Sequence, residues 1–181
     1  MSEKYKFDDP DGMYFVTMSV VGWVDLFTRP ELKHIVIDSL KYCQQHKGLI
    51  IHAWCLMPSH LHMINSTSDR PLSSIMRDFK KFTASALIKE IDSPYESRRD
   101  WILELFGQVA ERLGRVRHYK VWQDGNHPEV LYSNKFIQQK LNYIHDNPAI
   151  AEFVENPQDY LYSSARDYYC DIKGLLDVSL I

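Results

Sequence analysis

The sequence predicts an α+β fold: a ferredoxin-like sandwich, an antiparallel sheet with helices packed on it, plus a further helix toward the C-terminus. Three observations lead there. β-prone runs and helical-period stretches alternate in the order strand, helix, hairpin, helix. Two of the β-prone runs are joined only by Pro58-Ser59, a connection so short that the strands must run antiparallel. The chain has 181 residues, 45% of them hydrophobic, enough for one well-buried core and short for two. We therefore expect one domain over residues 1–181, with a core of about 13–148 and an extension at 149–181.

The elements follow in order. Met13 to Val21, M-Y-F-V-T-M-S-V-V, is rich in β-branched and aromatic residues and predicts the first strand. Pro30 opens a helix through about Gln45, with Leu32, Ile35, Val36, Leu40 and Cys43 at helical spacing. A hairpin follows from Leu49, L-I-I-H-A-W-C-L-M before the turn and H-L-H-M-I-N-S after it. Leu72 to Ile91 predicts a second helix whose apolar stripe is Ile75, Phe79, Phe82, Ala86 and Leu87. Beyond a charged linker with Ser93-Pro94, Trp101 to Leu113 predicts a helix and Val116 to Trp122 a strand. The last long helix starts near Asn134, and Pro148 is expected to end it at Asn147.

Chemistry concentrates in two places. His60 and His62 are separated by one residue, so in a strand both imidazoles leave the same face and can meet one cation, while Leu61 turns away. Tyr143 and Asn147 are four apart and share a face of the last helix, whereas His145 points elsewhere. A metal pair and a phenol with an adjoining amide are thus set on rigid elements.

Composition excludes several classes. The three cysteines, Cys43, Cys55 and Cys170, are odd in number and have no C-x-x-C pairing, which argues against a disulfide framework or a zinc ribbon and fits a reducing cytoplasm. No run of about eighteen apolar residues is present. The N-terminal M-S-E-K-Y-K-F-D-D-P lacks the apolar region of a secretory signal, so a cytoplasmic protein without a membrane partner is expected. Net charge is −3, but it is unevenly spread: Arg70 to Lys120 holds eleven Lys or Arg against seven Asp or Glu. Within that basic middle, Arg77, Lys80 and Lys81 form one group and Arg112, Arg115, Arg117 and Lys120 another, both candidates for phosphate contacts. Trp122 follows in a polar stretch, where an exposed aromatic could stack on an unpaired base.

Two blocks of this sequence resemble a known family. Met57 to Met63, M-P-S-H-L-H-M, and Lys140 to Pro148, K-L-N-Y-I-H-D-N-P, resemble the signatures of single-tyrosine HUH transposases. With D-Y-L-Y-S-S-A at Asp159 to Ala165, the likeness is nearest the REP-associated tyrosine transposases, and it runs from about Tyr14 to Tyr168. The resemblance implies a single-stranded DNA endonuclease and strand-transferase that acts at DNA hairpins with a divalent metal ion, Mg²⁺ or Mn²⁺. It assigns His60 and His62 to the metal, Tyr143 as nucleophile and Asn147 as third ligand, the product being a 5′-phosphotyrosyl adduct and a free 3′-hydroxyl. Ser59 departs from the family, where asparagine is common. The residues alone leave the ion open, because two imidazoles suit Zn²⁺, Mn²⁺, Ni²⁺ or Cu²⁺ better than oxygen-seeking Mg²⁺. Two other readings stand beside this one: a non-catalytic nucleic-acid-binding module, and a hydrolytic metalloenzyme with water as nucleophile and Cys55 near the site. Monomer and homodimer are both compatible with the sequence.

Overall fold

In the computed structural model, described over residues 7–114 and 118–181, the sheet has four strands: β1 (Tyr14–Ser19), β2 (Leu49–Met57), β3 (His60–Thr67) and β4 (Glu129–Val130). Their order is β2-β3-β1-β4, and every neighbouring pair is antiparallel. Five helices accompany them: α1 (Pro30–Lys47), α2 (Leu72–Ile91), α3 (Arg99–Leu113), α4 (Asn134–Ile150) and the short α5 (Ala165–Tyr169). This is the α+β architecture expected, and α2 falls on its expected bounds. Local chemistry sets the helix ends. Pro30 occupies the first turn of α1, and Gly48 closes that helix at φ 72°, where an added Cβ would also lie 2.9 Å from Cβ of Asp69. Ser133 caps α4 by accepting a hydrogen bond from the Phe136 amide.

Alternation along the strands divides the interior into two layers. Val16 and Met18 of β1, Trp54 and Leu56 of β2, and Leu61 and Met63 of β3 pack with Leu40, Ile75, Met76 and Phe79 from α1 and α2. The opposite face carries Phe15, Ala53, Cys55, Met57 and Ile64 against Leu141 and Ile144 of α4. His60 and His62 alternate with Leu61, so they belong to this second face, on the α4 side.

The C-terminal extension protects an edge. β2 is outermost in the sheet, and its unpaired side exchanges hydrogen bonds with the later chain: Leu56 N–H donates to the Tyr162 carbonyl, Ser164 N–H to that of Trp54, and Ser179 N–H to that of Ile51. The tail tyrosines tie in the same way, with Tyr160 donating to the Leu56 carbonyl and Tyr168 to that of His52.

Two expectations are corrected. The strand expected at Val116 to Trp122 is not a sheet member over its described part; Trp122 makes only an isolated bridge to Val20, residues 115–117 lie outside the described residues, and the fourth strand is Glu129–Val130. Trp122 is held instead by packing against Phe27 and Phe79, and its indole N–H donates to Thr83. Pro148 does not end the last helix, which continues to Ile150. Proline removes a single amide donor, while its ring is buried on the same face as Leu141 and Ile144, and the Ala151 amide still reaches the Asn147 carbonyl.

Candidate active site

The two histidines converge as their spacing predicts. Their ring centroids are 4.6 Å apart. His62 is paired in register with Thr17 of β1 and Cys55 of β2, and its Nδ1 lies 2.8 Å from the Thr17 hydroxyl. Its Nε2 is buried and has no hydrogen-bond partner among the described residues. Nδ1 of His60 is 3.0 Å from the Ser59 hydroxyl, so the serine of the turn holds the first imidazole. Burial chiefly, then His60 and Lys140, push the His62 imidazolium down to about 3, and burial also lowers His60 despite the opposing charge of Asp25. Both rings are therefore neutral near pH 7, the form that ligates a metal.

Tyr143 stands over this pair. Its ring meets His62 edge-on at 5.1 Å and Phe15 edge-on at 5.9 Å, yet the side chain remains 47% exposed and open to a large substrate. Phe15 stacks on His62 at 5.6 Å and so forms the wall between sheet and helix. Lys140, one turn before Tyr143, lies 4.2 Å above the Phe15 ring and donates to Glu129 at 2.7 Å. Asn147 is half-buried one turn after Tyr143. Among the described residues no group of three His, Cys, Asp or Glu could hold an ion. His145 faces away and is buried, its Nε2 2.8 Å from the Ser164 hydroxyl.

Thr17, Phe15 and Lys140 are site residues the sequence reading missed. Lys140 could have been found, since it stands three positions before Tyr143 on one helix. Thr17 is the lone polar residue in the middle of an apolar strand, but only the β1–β3 register sets it beside His62.

The described candidates for DNA contact differ in exposure and role. Arg77 and Lys81 are exposed on α2, whose layer lies across the sheet from the histidines. Lys80 turns inward: its ammonium donates to the carbonyls of Gln123 and Gly125 and to the Asn126 side chain, and burial pushes it down to about 8. Trp122 is 3% exposed, so it is a core residue and not a stacking surface. Arg112 is exposed at the end of α3, Lys120 pairs with Asp124, and Arg115 and Arg117 lie outside the described residues. Cys55 is fully buried beside His62, and burial raises its thiol far above the range in which it could act as a nucleophile.

Neither a protein-family model nor a curated protein matches the chain. A solved structure does: a REP-associated tyrosine transposase bound to a REP hairpin, with a TM-score of 0.63 and 20% identity, covering 99% of this chain and 92% of that one. This chain has that transposase's fold. The similarity includes the C-terminal extension as well as the sheet, because nearly the whole length of both chains is matched. No helix among the described residues is long and apolar enough to cross a membrane.

Proposed function

We propose that this protein is a tyrosine transposase: a metal-dependent single-stranded DNA endonuclease and strand-transferase that acts beside DNA hairpins through a 5′-phosphotyrosyl link. The carrying observation is the exposed Tyr143 ring set 5.1 Å from His62, whose buried Nε2 lacks a partner. The shared fold adds to it, since the matching transposase is bound to a hairpin.

The residues fit a divalent ion. A buried imidazole nitrogen without a partner is costly unless something ligates it. His60, His62 and Asn147 would hold the ion, which would supply Lewis-acid polarisation of a non-bridging phosphate oxygen. In the tautomer in which Nδ1 of His62 donates to the Thr17 hydroxyl 2.8 Å away, Nε2 keeps a lone pair for the ion. Tyr143, held against Phe15 and His62, would attack phosphorus; its oxygen–phosphorus bond forms as the bond to O3′ breaks, the phenolic proton goes to solvent and the departing 3′-oxygen takes up a proton from solvent to become the hydroxyl. Lys140 adds a positive charge on the same helix face, one turn away. Because the phosphodiester energy is kept in the tyrosyl ester, a DNA 3′-hydroxyl can reverse the step and join strands without ATP.

The test is incubation of the protein with hairpin DNA bearing a single-stranded flank and Mn²⁺, followed by denaturing electrophoresis. Wild type should give a protein–DNA adduct that chelation abolishes. Tyr143→Phe should bind the hairpin and give none. Cut DNA with no adduct, equally produced by Tyr143→Phe, would identify a water-using hydrolase instead.

A further inference from the structure

Trp23 is exposed, held in an unfavourable backbone conformation, and placed against the histidine pair. It is 58% exposed and sits at φ 55°, in the left-handed region that a bulky residue rarely adopts. The segment around it is fixed from several sides. Val20 N–H donates to the Ser59 carbonyl, Val21 N–H to Val121, Trp23 N–H to Val20, and Phe27 N–H to Pro58. Gly22, at φ 66°, lies against Leu105 of α3, where even a Cβ would approach to 3.1 Å. The turn after β1 is thus tied to the turn that precedes His60, and the indole meets the His60 ring edge-on at 5.6 Å. Backbone strain maintained by surrounding structure, on a side chain left mostly in solvent, is characteristic of binding surfaces.

Four rings lie in sequence: Trp23, His60, His62 and Tyr143, with neighbouring centroids 5.6, 4.6 and 5.1 Å apart. A phosphate seated between the histidines and Tyr143 would have its neighbouring nucleotide at the Trp23 end of that row. An exposed indole offers a flat apolar face suited to an unpaired base, and stacking of this kind tolerates every base. We propose that Trp23 is the stacking platform for a base flanking the scissile phosphate, which makes it a positioning residue for single-stranded substrate. This rests on the DNA-cleaving reading above, and it moves base stacking from the buried Trp122 to the exposed Trp23.

The test uses hairpin DNA whose single-stranded flank carries 2-aminopurine at one position at a time, with Mn²⁺ and protein bearing Tyr143→Phe so that no strand is cut. One position beside the scissile phosphate should be quenched on binding. Adding Trp23→Gly should abolish that quench and weaken flank binding about ten- to a hundredfold. An abasic nucleotide at the same position should weaken binding to the parent protein similarly. Trp23→Phe should restore part of both. Glycine relieves the left-handed backbone, so the melting temperature should hold or rise, which separates a stacking role from a folding one. An undiminished quench with unchanged flank affinity, while wild type still forms the covalent adduct, would overturn the role of Trp23 alone. Absence of both adduct and DNA binding in the wild type would overturn the DNA-cleaving reading and this one with it.

Discussion

Thr17 lies 2.8 Å from Nδ1 of His62, so on the proposed metal-binding role of His62 this contact orients the ring and leaves Nε2 as the nitrogen for a ligand when Nδ1 is the donor. Thr17→Val keeps the shape and removes the hydroxyl, leaving Nδ1 unpaired and the ring free to reorient. Mn²⁺ affinity, measured by calorimetric titration, should fall about 10- to 100-fold while the fold is retained. An unchanged affinity would mean the hydroxyl has no part in orienting the ligand. Lys80 is a second case in which one residue's role changed between sequence and structure. It has three acceptors on the 123–126 segment, and Asn126 in turn accepts from the Thr17 amide. Lys80→Met should cost about 1.5–3 kcal/mol in urea unfolding, as expected for loss of buried hydrogen bonds from a charged donor. Lys81→Ala, exposed one residue later, should cost almost nothing.

Helix α4 joins the reactive face to the core. The Tyr143 ring meets His62, while His145 is buried beneath Ser164 and the Tyr168 and Tyr169 rings. Burial pushes the His145 imidazolium down to about 4 from its ordinary 6.5, so the unfolded chain binds the proton more tightly than the folded one. Unfolding free energy therefore rises with pH across about 4 to 6.5 and is lost on acidification through the same window, by about 3 kcal/mol for this group. His52 and His62 act in the same direction. His145→Gln should flatten the slope of stability between pH 6.5 and 4, read by denaturant melts. An unaltered slope would show that the proton is taken up elsewhere.

Across the whole molecule, the sheet separates the histidine–tyrosine site from the exposed basic residues of α2. On the proposed function, a hairpin reaching both would have to pass an edge of the sheet, with phosphates supplying the long-range attraction. Binding should weaken steeply as salt rises, and a single-stranded flank should be cut in preference to the same sequence in perfect duplex, because an unpaired phosphate can be turned into line with Tyr143. Equal cutting of both forms, or salt-independent binding, would rule out this arrangement. Arg77→Glu together with Lys81→Glu should lower affinity without removing cleavage at saturating DNA.

Periodicity and short connections made the layers legible: the period of two across His60-Leu61-His62 fixes which residues share a face, and the four-residue step from Tyr143 to Asn147 fixes another, wherever those elements sit. The hairpin needed only Pro58-Ser59 between its strands. Contacts between elements distant in sequence were not legible, because they depend on register and on which surfaces meet. The β1–β3 register places Thr17 beside His62, and packing with Phe27, Phe79 and Thr83 draws Trp122 inward. Trp23 was missed for the same reason: its sequence position gives no sign of a left-handed backbone held against His60. The sequence by itself determined the layers and which candidate side chains share a face, since those follow from local spacing; the tertiary structure decided which neighbours surround them, since that follows only from long-range packing.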